Sequence, residues 1–306
     1  MKLMFDLPEK EEQLFLAASD PSEKRMYCLP FNIEGKKFVN DGYMVFTDQF
    51  IYKILHGEVV AKYAFANMKD FDTEIHYGSC GFYAAIQPPE VQTPWGKYMI
   101  EFFREFFRYT KAHGTPVDFF SWHSYSPTEQ VARMDAWLHE ELEALGYGDL
   151  ETHLNEWDPY AEEFGTGHHA AELAAMMIAM QHGHADLCCI YDMRISDAPY
   201  CPLFNPITCK PIQGYYAMVA FNTLYQLGQQ IETVCDSESL YVLAASNGSK
   251  NAMMISNLSG GWQELNIEGV DLSEARCHII DNERLLSWAP GNTKWLNANS
   301  VLLIEW

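Results

Sequence analysis

Glu156 is the residue whose type and setting are best suited to chemistry in this chain. It ends an apolar, β-favouring stretch from Leu150 to Trp157, and the chain then breaks at Asp158-Pro159. The pattern predicts a strand with Glu156 at its mouth. A strand-end carboxylate between Asn155 and Trp157 indicates a carbohydrate site, and the plainer alternative is a surface glutamate beside a turn.

A second strand end favours the carbohydrate interpretation. Residues 117–125 form another apolar and aromatic run, which stops at Ser126-Pro127 in the same manner. Trp122, His123 and Tyr125 fall at its end. Because the carboxyl ends of parallel strands meet at one face of a barrel, two such ends separated by one helix predict one face of a β/α barrel.

The elements that must position these residues alternate between helix and strand. An N-cap at Thr47 predicts a helix to about Lys69, followed by a short strand at 73–77. The next predicted helix runs from Pro94 to Gly114, with an apolar core stripe at positions 99, 102, 103, 106 and 107. Further helices are predicted from a capping box at 126–129 to Gly146, over 167–182 and over 213–230, and strands over 117–123, 150–157 and 186–192.

This alternation predicts an α/β fold with parallel strands, a partial (β/α)8 TIM-type barrel. After Asp236, short strands separated by Gly, Asn and Asp turns predict a small antiparallel β-sandwich. The predicted regions are a poorly defined N-terminal segment at 1–45, the barrel portion at 46–235 and the sandwich at 236–306.

Composition and charge exclude several classes of protein. With 48% hydrophobic and 14% aromatic residues, the 306-residue chain can bury a large core. Its net charge of -22 argues against nucleic acid or an anionic membrane as a partner, because phosphate binding relies on clustered Lys and Arg. The charged opening Met1–Gln13 and the short apolar run Leu14–Ala18 do not form a signal peptide, so the chain is predicted to be cytoplasmic.

Cysteine and histidine patterns predict neither a disulfide framework nor a metal site. The eight cysteines show no C-x-x-C spacing, which indicates reduced, mostly buried thiols. His168-His169 and the pair His182 and His184 invite a metal interpretation. Adjacent residues on a helix point apart, however, and no H-E-x-x-H occurs, so we expect no metal and no cofactor.

Several segments, in this order, resemble glycoside hydrolase family 39, which contains β-xylosidases and α-L-iduronidases. The likeness covers about residues 46–306 and implies a (β/α)8 barrel followed by a β-sandwich. The segments that carry it are Asp118–Tyr125, Leu154–Trp157, Ile190–Arg194 with Leu203–Asn205, and Gly214–Tyr216 with Phe221–Gly228.

The resemblance implies a retaining mechanism with Glu156 as the nucleophile on the seventh barrel strand. Retaining glycosidases hold two carboxyl groups about 5 to 5.5 Å apart. His123 or Tyr125 would donate to Glu156 and keep it ionised, and the rings of Trp122 and Trp157 would face a pyranose. The alternative for His123 is a satisfied histidine at a strand end. The residues expected to bind substrate are His123, Tyr125, Asn155, Trp157, Tyr191 and Asp192.

Two departures from the family pattern bear on activity. The family carries its acid/base in an Asn-Glu-Pro motif, which is absent here, and the nearest candidate is Glu34 in Asn32-Ile33-Glu34-Gly35. Its alternative is a solvated loop carboxylate. A complete barrel needs roughly 250 residues, yet only about 235 precede the predicted sandwich, and the first three strands are not recognisable. Three explanations fit this missing part of the barrel. The chain is a truncated product, it is a fragment of an assembly (a homo-oligomer or one with a complementing chain), or residues 1–45 fill the gap.

Two functions from different classes follow. The first is a retaining, β-xylosidase-like glycoside hydrolase that acts on oligosaccharides. The second is a truncated, catalytically impaired or non-catalytic remnant that binds carbohydrate. A serine hydrolase has little support, because the chain contains no G-x-S-x-G elbow.

Overall fold

The computed structural model describes residues 6–31, 42–64, 78, 91–159, 163–193, 201–291 and 294–306. Contacts divide the chain into two compact units, Met1–Ile75 and His76–Trp306. The predicted boundary between residues 45 and 46 falls inside the first unit. Among the described residues, no helix is long and apolar enough to cross a membrane.

The first unit is an antiparallel meander with one helix. Its sheet has the order β1-β2-β3-β4. Alternate side chains such as Val45, Tyr52 and Ile54 are buried and pack with Phe15 of the helix. The bounds are α1 Glu9–Ala18, β1 Arg25–Phe31, β2 Gly42–Thr47, β3 Phe50–Leu55 and β4 Glu58–Ala64.

The predicted helix from Thr47 to about Lys69 is wrong, because its N-cap signal belongs to a hairpin turn. Thr47 Oγ1 accepts a hydrogen bond from Phe50 N at 2.8 Å and so closes the turn between β2 and β3. His56 and Gly57 join β3 to β4 with positive φ angles of 50° and 78°, the geometry of a two-residue hairpin loop. The predicted strand at 73–77 lies outside the described residues.

Glu23 anchors the segment before β1 to this sheet. Its side chain is 0% exposed. Four groups donate to its carboxylate: Asp20 N at 3.0 Å, Tyr52 OH at 2.7 Å, and Thr47 Oγ1 and Lys62 Nζ, both at 3.1 Å. Burial by itself would raise the pKa of Glu23, but these hydrogen bonds outweigh it and lower the pKa.

The second unit contains the parallel sheet that the sequence predicts. Strands β5, β6 and β7 pair in that order, and both pairings are parallel. Helices follow β5, β6 and β7 along the chain, so the β/α alternation is confirmed. The bounds are α2 Pro94–His113, β5 Phe119–Ser124, α3 Thr128–Leu145, β6 Glu151–Trp157, α4 Gly167–Met180, β7 Leu187–Ile190 and α5 Gln213–Leu227.

Helix α2 follows the prediction closely, with one correction. Thr93 Oγ1 accepts from Gly96 N at 3.0 Å at its start, and Gly114 ends it in the left-handed region at φ 61°. Phe103 and Phe107 are buried, as the core stripe predicts. Phe102 is 47% exposed and therefore does not belong to the core.

The capping box predicted at 126–129 is wrong, because a neighbouring helix supplies the cap. Pro127 precedes α3 without a side-chain cap. Instead, Glu172 of α4 is buried and accepts from Thr128 N at 3.1 Å and from Thr128 Oγ1 at 2.7 Å. A carboxylate at a helix N-terminus is stabilised by the helix dipole, so this contact ties α3 to α4.

The described residues after Asp236 form strands, as predicted for the sandwich. A six-stranded antiparallel sheet has the order β13-β12-β15-β10-β9-β8, and β11 pairs with β14. Side chains of β10 alternate between two cores: Ala252 and Met254 pack with α4 and α5, while Met253 and Ile255 pack on the other face. The bounds are β8 Gln229–Ile231, β9 Leu240–Ser246, β10 Asn251–Asn257, β11 Gln263–Glu264, β12 Arg276–Ile280, β13 Ser287–Trp288, β14 Trp295–Leu296 and β15 Ser300–Glu305.

The expectation of mostly buried cysteines is wrong. Cys80 lies outside the described residues, and only three of the described thiols are buried. Two of the exposed thiols, Cys188 and Cys189, lie on β7, where Leu187 is also 47% exposed. In the described part of the chain β7 pairs with β6 alone, so this edge of the parallel sheet is open. The buried thiols are Cys28, Cys201 and Cys277, and the exposed ones are Cys188, Cys189, Cys209 and Cys235.

Candidate active site

Glu156 lies near the C-terminal end of β6, where a β-bulge determines its direction. Trp122 of β5 pairs with Leu154, and the next residue, His123, pairs with Glu156. Asn155 is therefore an extra residue on β6. Because side chains alternate across a strand, one inserted residue moves every later side chain to the opposite face.

The burial pattern shows which face Glu156 gains. Phe120 contacts Phe103 of α2 at 5.0 Å between ring centroids, and Leu154 is 0% exposed, so this face of the sheet packs on helices. On the opposite face Phe119 stacks on His153 at 4.5 Å. Without the bulge Glu156 would share the face of Leu154. With the bulge it lies beside His123 on the face away from the helices.

Two side chains of β5 and its extension approach the Glu156 carboxylate. Tyr125 OH donates a hydrogen bond to Oε1. His123 Nδ1 lies 3.9 Å from Oε2, too far for a hydrogen bond. Burial raises the pKa of Tyr125, and the hydrogen bond to Glu156 raises it further. Tyr125 therefore stays protonated and acts as the donor to Glu156.

Of the other predicted site residues, Tyr191 contacts this pair. Tyr191 follows β7, and its ring meets that of Tyr125 edge-on at 6.3 Å. Asp192 comes next, and its negative charge contributes to raising the pKa of the Asp158 carboxyl group. Asn155 is exposed at the bulge.

Trp122 and Trp157 correct one expectation about sugar binding. They are 0% and 3% exposed and belong to the main hydrophobic core. The bulge explains the position of Trp157, because it returns that side chain to the helix-covered face of Leu154. Neither indole presents an open face to a pyranose, so the predicted stacking by these two rings is wrong.

A retaining mechanism needs a second carboxyl group, and its candidate has no described position. Glu34, the candidate acid/base, lies outside the described residues. Within the described ranges, no group of three or more His, Cys, Asp or Glu side chains could hold a metal ion.

Sequence reasoning missed a buried Asp–His contact two residues after Glu156. Asp158 Oδ1 and His169 Nε2 are 3.0 Å apart, and their side chains are 1% and 0% exposed. Burial raises the pKa of Asp158, while the contact with His169 opposes this effect. Eleven residues separate the two along the chain, so no local pattern reveals the pair. The only sequence signal was His169 itself, which drew attention as part of a possible metal motif.

The arrangement fixes Glu156 on one side and leaves it open on the other. Its side chain is 29% exposed, and Tyr125 occupies only part of its hydrogen-bonding capacity. A carboxylate held in this way can act as a nucleophile or stabilise a developing positive charge.

Comparisons with known proteins identify solved structures that share this fold. No protein-family model and no curated protein matches the chain. Among solved structures, a glucosidase from Croceicoccus marinus is 17% identical, with a TM-score of 0.53 over 66% of this chain and 57% of its own. A GH39 β-xylosidase from Caulobacter crescentus is also 17% identical, with a TM-score of 0.51 over 66% of this chain and 54% of its own.

These similarities establish the architecture. The chain has the fold of TIM-barrel glycoside hydrolases that carry a β-sandwich domain, and it spans little more than half the length of the two structures. The predicted class, a partial (β/α)8 barrel followed by a small antiparallel β-sandwich, is confirmed.

Proposed function

We propose that this protein is a retaining glycoside hydrolase with Glu156 as its nucleophile. The observation that carries the proposal is the contact of Glu156 with Tyr125 at the carboxyl end of a parallel strand. Barrel enzymes place their reactive groups at this end of the sheet. A tyrosine that donates to the carboxylate favours its ionised form, which is the form that attacks.

The proposed reaction has two steps. In the first, Glu156 forms a bond to the anomeric carbon as the glycosidic bond breaks, and a general acid protonates the departing oxygen. In the second, water attacks the glycosyl-enzyme and releases the sugar and the free carboxylate. Glu34 is our candidate for the acid that later serves as the base. His123, Tyr125, Asn155, Tyr191 and Asp192 are proposed to contact the substrate.

We assign the substrate class by the resemblance to glycoside hydrolase family 39. The order of four segments around Asp118–Tyr125 and Leu154–Trp157 supports this assignment, and so does the fold shared with a β-xylosidase. The proposed substrates are β-xylosides and short xylo-oligosaccharides. A cytoplasmic location, a homo-oligomer and a complementing chain stay predictions.

Hydrolysis of paired substrates tests the proposal. Dinitrophenyl β-xyloside has a leaving group that needs no protonation, whereas xylobiose needs an acid. We expect the parent protein to cleave both and Glu156→Gln to cleave neither. If Glu34 is the acid, Glu34→Gln loses about 10²- to 10⁴-fold on xylobiose and little on the aryl substrate.

A second candidate function is a carbohydrate-binding remnant of the same family. The missing Asn-Glu-Pro motif favours it. This candidate predicts binding of xylo-oligosaccharides without turnover of either substrate. Isothermal calorimetry with xylotriose, together with absence of product after prolonged incubation with the aryl xyloside, would decide for the remnant.

A further inference from the structure

The pairing of β5 with β6 is irregular next to Glu156. At the bulge Asn155 has no partner on β5, so the regular ladder is interrupted immediately before Glu156. Beyond the bulge the ladder resumes, with His123 opposite Glu156 and Ser124 opposite Trp157. Two further backbone bonds follow: Asp158 N donates to Ser124 O at 3.4 Å, and Tyr191 N donates to Trp157 O at 2.8 Å. The first of these two bonds is long, so the backbone contact of Asp158 with β5 is weak.

The Asp158 side chain supplies a restraint from outside the sheet. Its Oδ1 meets Nε2 of His169, the third residue of α4, at 3.0 Å. Both side chains are at least 99% buried. A hydrogen bond that is shielded from water in this way holds its two backbones in a defined geometry.

The hydrogen-bonding pattern fixes the tautomer of His169. Within the described residues, neither His169 Nδ1 nor Asp158 Oδ2 has a hydrogen-bond partner. A buried N–H without an acceptor is costly, so Nδ1 carries no proton and Nε2 donates to Asp158. The two side chains are therefore joined by a single hydrogen bond, between Nε2 and Oδ1.

The surroundings of His169 make it a firm anchor. Phe164 meets its ring edge-on at 4.9 Å. Gly214 of α5 approaches so closely that a Cβ there would lie 3.4 Å from His169 Cε1 and 2.4 Å from Pro202 O. The imidazole is thus enclosed by packed groups and has little room to move.

We propose that Asp158 and His169 form a positioning pair that sets the direction of Glu156 beyond the bulge. The inference rests on the proposed function, since it concerns how Glu156 is aimed at a substrate. Neither residue touches the reacting atoms. A displacement of about 1 Å in a reacting group can cost about 10²-fold in rate, so the pair is expected to govern kcat rather than substrate affinity.

Four variants separate positioning from general stability. Asp158→Ala and His169→Asn each break the bond, from opposite sides. Asp158→Asn keeps an acceptor for Nε2–H and serves as the conservative variant. Asp135→Ala is the matched control, because Asp135 is also buried, at 3% exposure, and accepts a backbone hydrogen bond, from His184 N at 2.7 Å.

Two readouts are needed, one of which does not depend on turnover. The first is kcat and KM with dinitrophenyl β-xyloside. The second is the carboxyl carbon resonance of Glu156 in protein labelled with ¹³C-glutamate, assigned by its loss in Glu156→Gln. Thermal unfolding of each variant shows whether it is folded under the conditions used.

We expect Asp158→Ala and His169→Asn to lower kcat about 10²-fold, with KM changed by less than about threefold, and to shift the Glu156 resonance. The double variant should lose no more than either single variant, because both remove one bond. Asp158→Asn should stay near the parent, and Asp135→Ala should lower the melting temperature without moving either readout. If Asp158→Ala does not fold, His169→Asn carries the test.

A Glu156 resonance and a kcat equal to those of the parent, in folded Asp158→Ala or His169→Asn, would overturn the positioning pair. A parent protein that never turns over a glycoside would instead refute the proposed hydrolysis. In that case the resonance alone decides whether the pair orients Glu156: a shift in the two bond-breaking variants, but not in Asp135→Ala, supports it.

Discussion

Glu23 and Glu156 are both glutamates that accept a hydrogen bond from a tyrosine, yet their surroundings differ in kind. Glu23, in the first unit, is 0% exposed and receives hydrogen bonds from four groups. Glu156, in the second unit, is 29% exposed and receives one from Tyr125, with His123 at 3.9 Å.

The difference separates a structural carboxylate from the one proposed to react. A carboxylate has about four acceptor positions. Glu23 uses them to fix a loop to a sheet, so none is left for a ligand. Glu156 keeps acceptor capacity open toward solvent, at some loss of stabilisation. Both carboxylates accept from a tyrosine. They differ in saturation, which is the share of their acceptor positions that hydrogen bonds fill.

The sharpest test exchanges Glu156 for glutamine. We expect Glu156→Gln to lower the rate on dinitrophenyl β-xyloside by about 10⁴-fold or more, because it removes the nucleophile. Stability should change by less than about 0.5 kcal/mol, since the side chain is partly exposed. The matched control is Glu151→Gln at the other end of β6, which should keep the parental rate. Equal rates for both variants would remove Glu156 from the mechanism.

The same exchange at Glu23 should have the opposite profile. In Glu23→Gln the amide group faces donors, so we expect the first unit to lose about 3 kcal/mol while the aryl xyloside rate is unchanged. All eight tryptophans lie after residue 75, so hydrogen exchange of β2 to β4 reports the first unit and tryptophan fluorescence the second. Exposed Glu58 of β4 provides the control, and Glu58→Gln should leave exchange unaltered. Loss of protection in both variants alike would contradict a specific role for Glu23.

Glu172 extends the comparison to a buried, helix-capping carboxylate in the unit that holds Glu156. In Glu172→Gln the amide oxygen can still accept from Thr128, so only the charge at the start of α3 is lost. We expect a destabilisation of about 1 kcal/mol, measured by urea titration of tryptophan fluorescence. The KM should be unchanged. A large fall in kcat with intact stability would show that burial and helix capping do not mark a carboxylate as purely structural.

Acid titration should give the smallest effect. The pKa of Glu23 is lowered on folding, so its contribution is present above the ordinary value of 4.5 and lost as the pH falls through the folded pKa. The difference in hydrogen-exchange protection of β2 to β4 between the parent and Glu23→Gln should therefore be constant near neutral pH and shrink below about pH 4.5. A difference that grows in acid would reverse the sign assigned to this group.

Periodic elements were predictable from the sequence where one face is buried. The stripe containing Phe103 and Phe107 predicted α2, and the apolar runs before Ser126-Pro127 and Asp158-Pro159 predicted β5 and β6. Local patterns gave wrong predictions where the same residue type occurs both in helix caps and in turns. Thr47 has the side chain of an N-cap, but it closes a hairpin, because the flanking segments alternate and pair as strands.

The candidate site was predictable in residue types and only partly in geometry. Proximity of Glu156 to His123 and Tyr125 follows from adjacent parallel strands. The bulge at Asn155 does not follow, because the segment reads as an ordinary strand and only pairing with β5 exposes the extra residue. Burial of Trp157 and the Asp158–His169 contact depend on that bulge and on α4, so they were beyond a pattern of local spacing.

The bulge also has a consequence for how this site can be inherited. Deletion of the single codon for Asn155 would leave the codons for Glu156, Tyr125, His123 and Asp158 untouched, yet it would return Glu156 to the face of Leu154 and turn Trp157 outward. A deletion of one residue could thus dismantle the site without any substitution. In an alignment of descendants, a gap at this position would carry more information about activity than conservation of the glutamate.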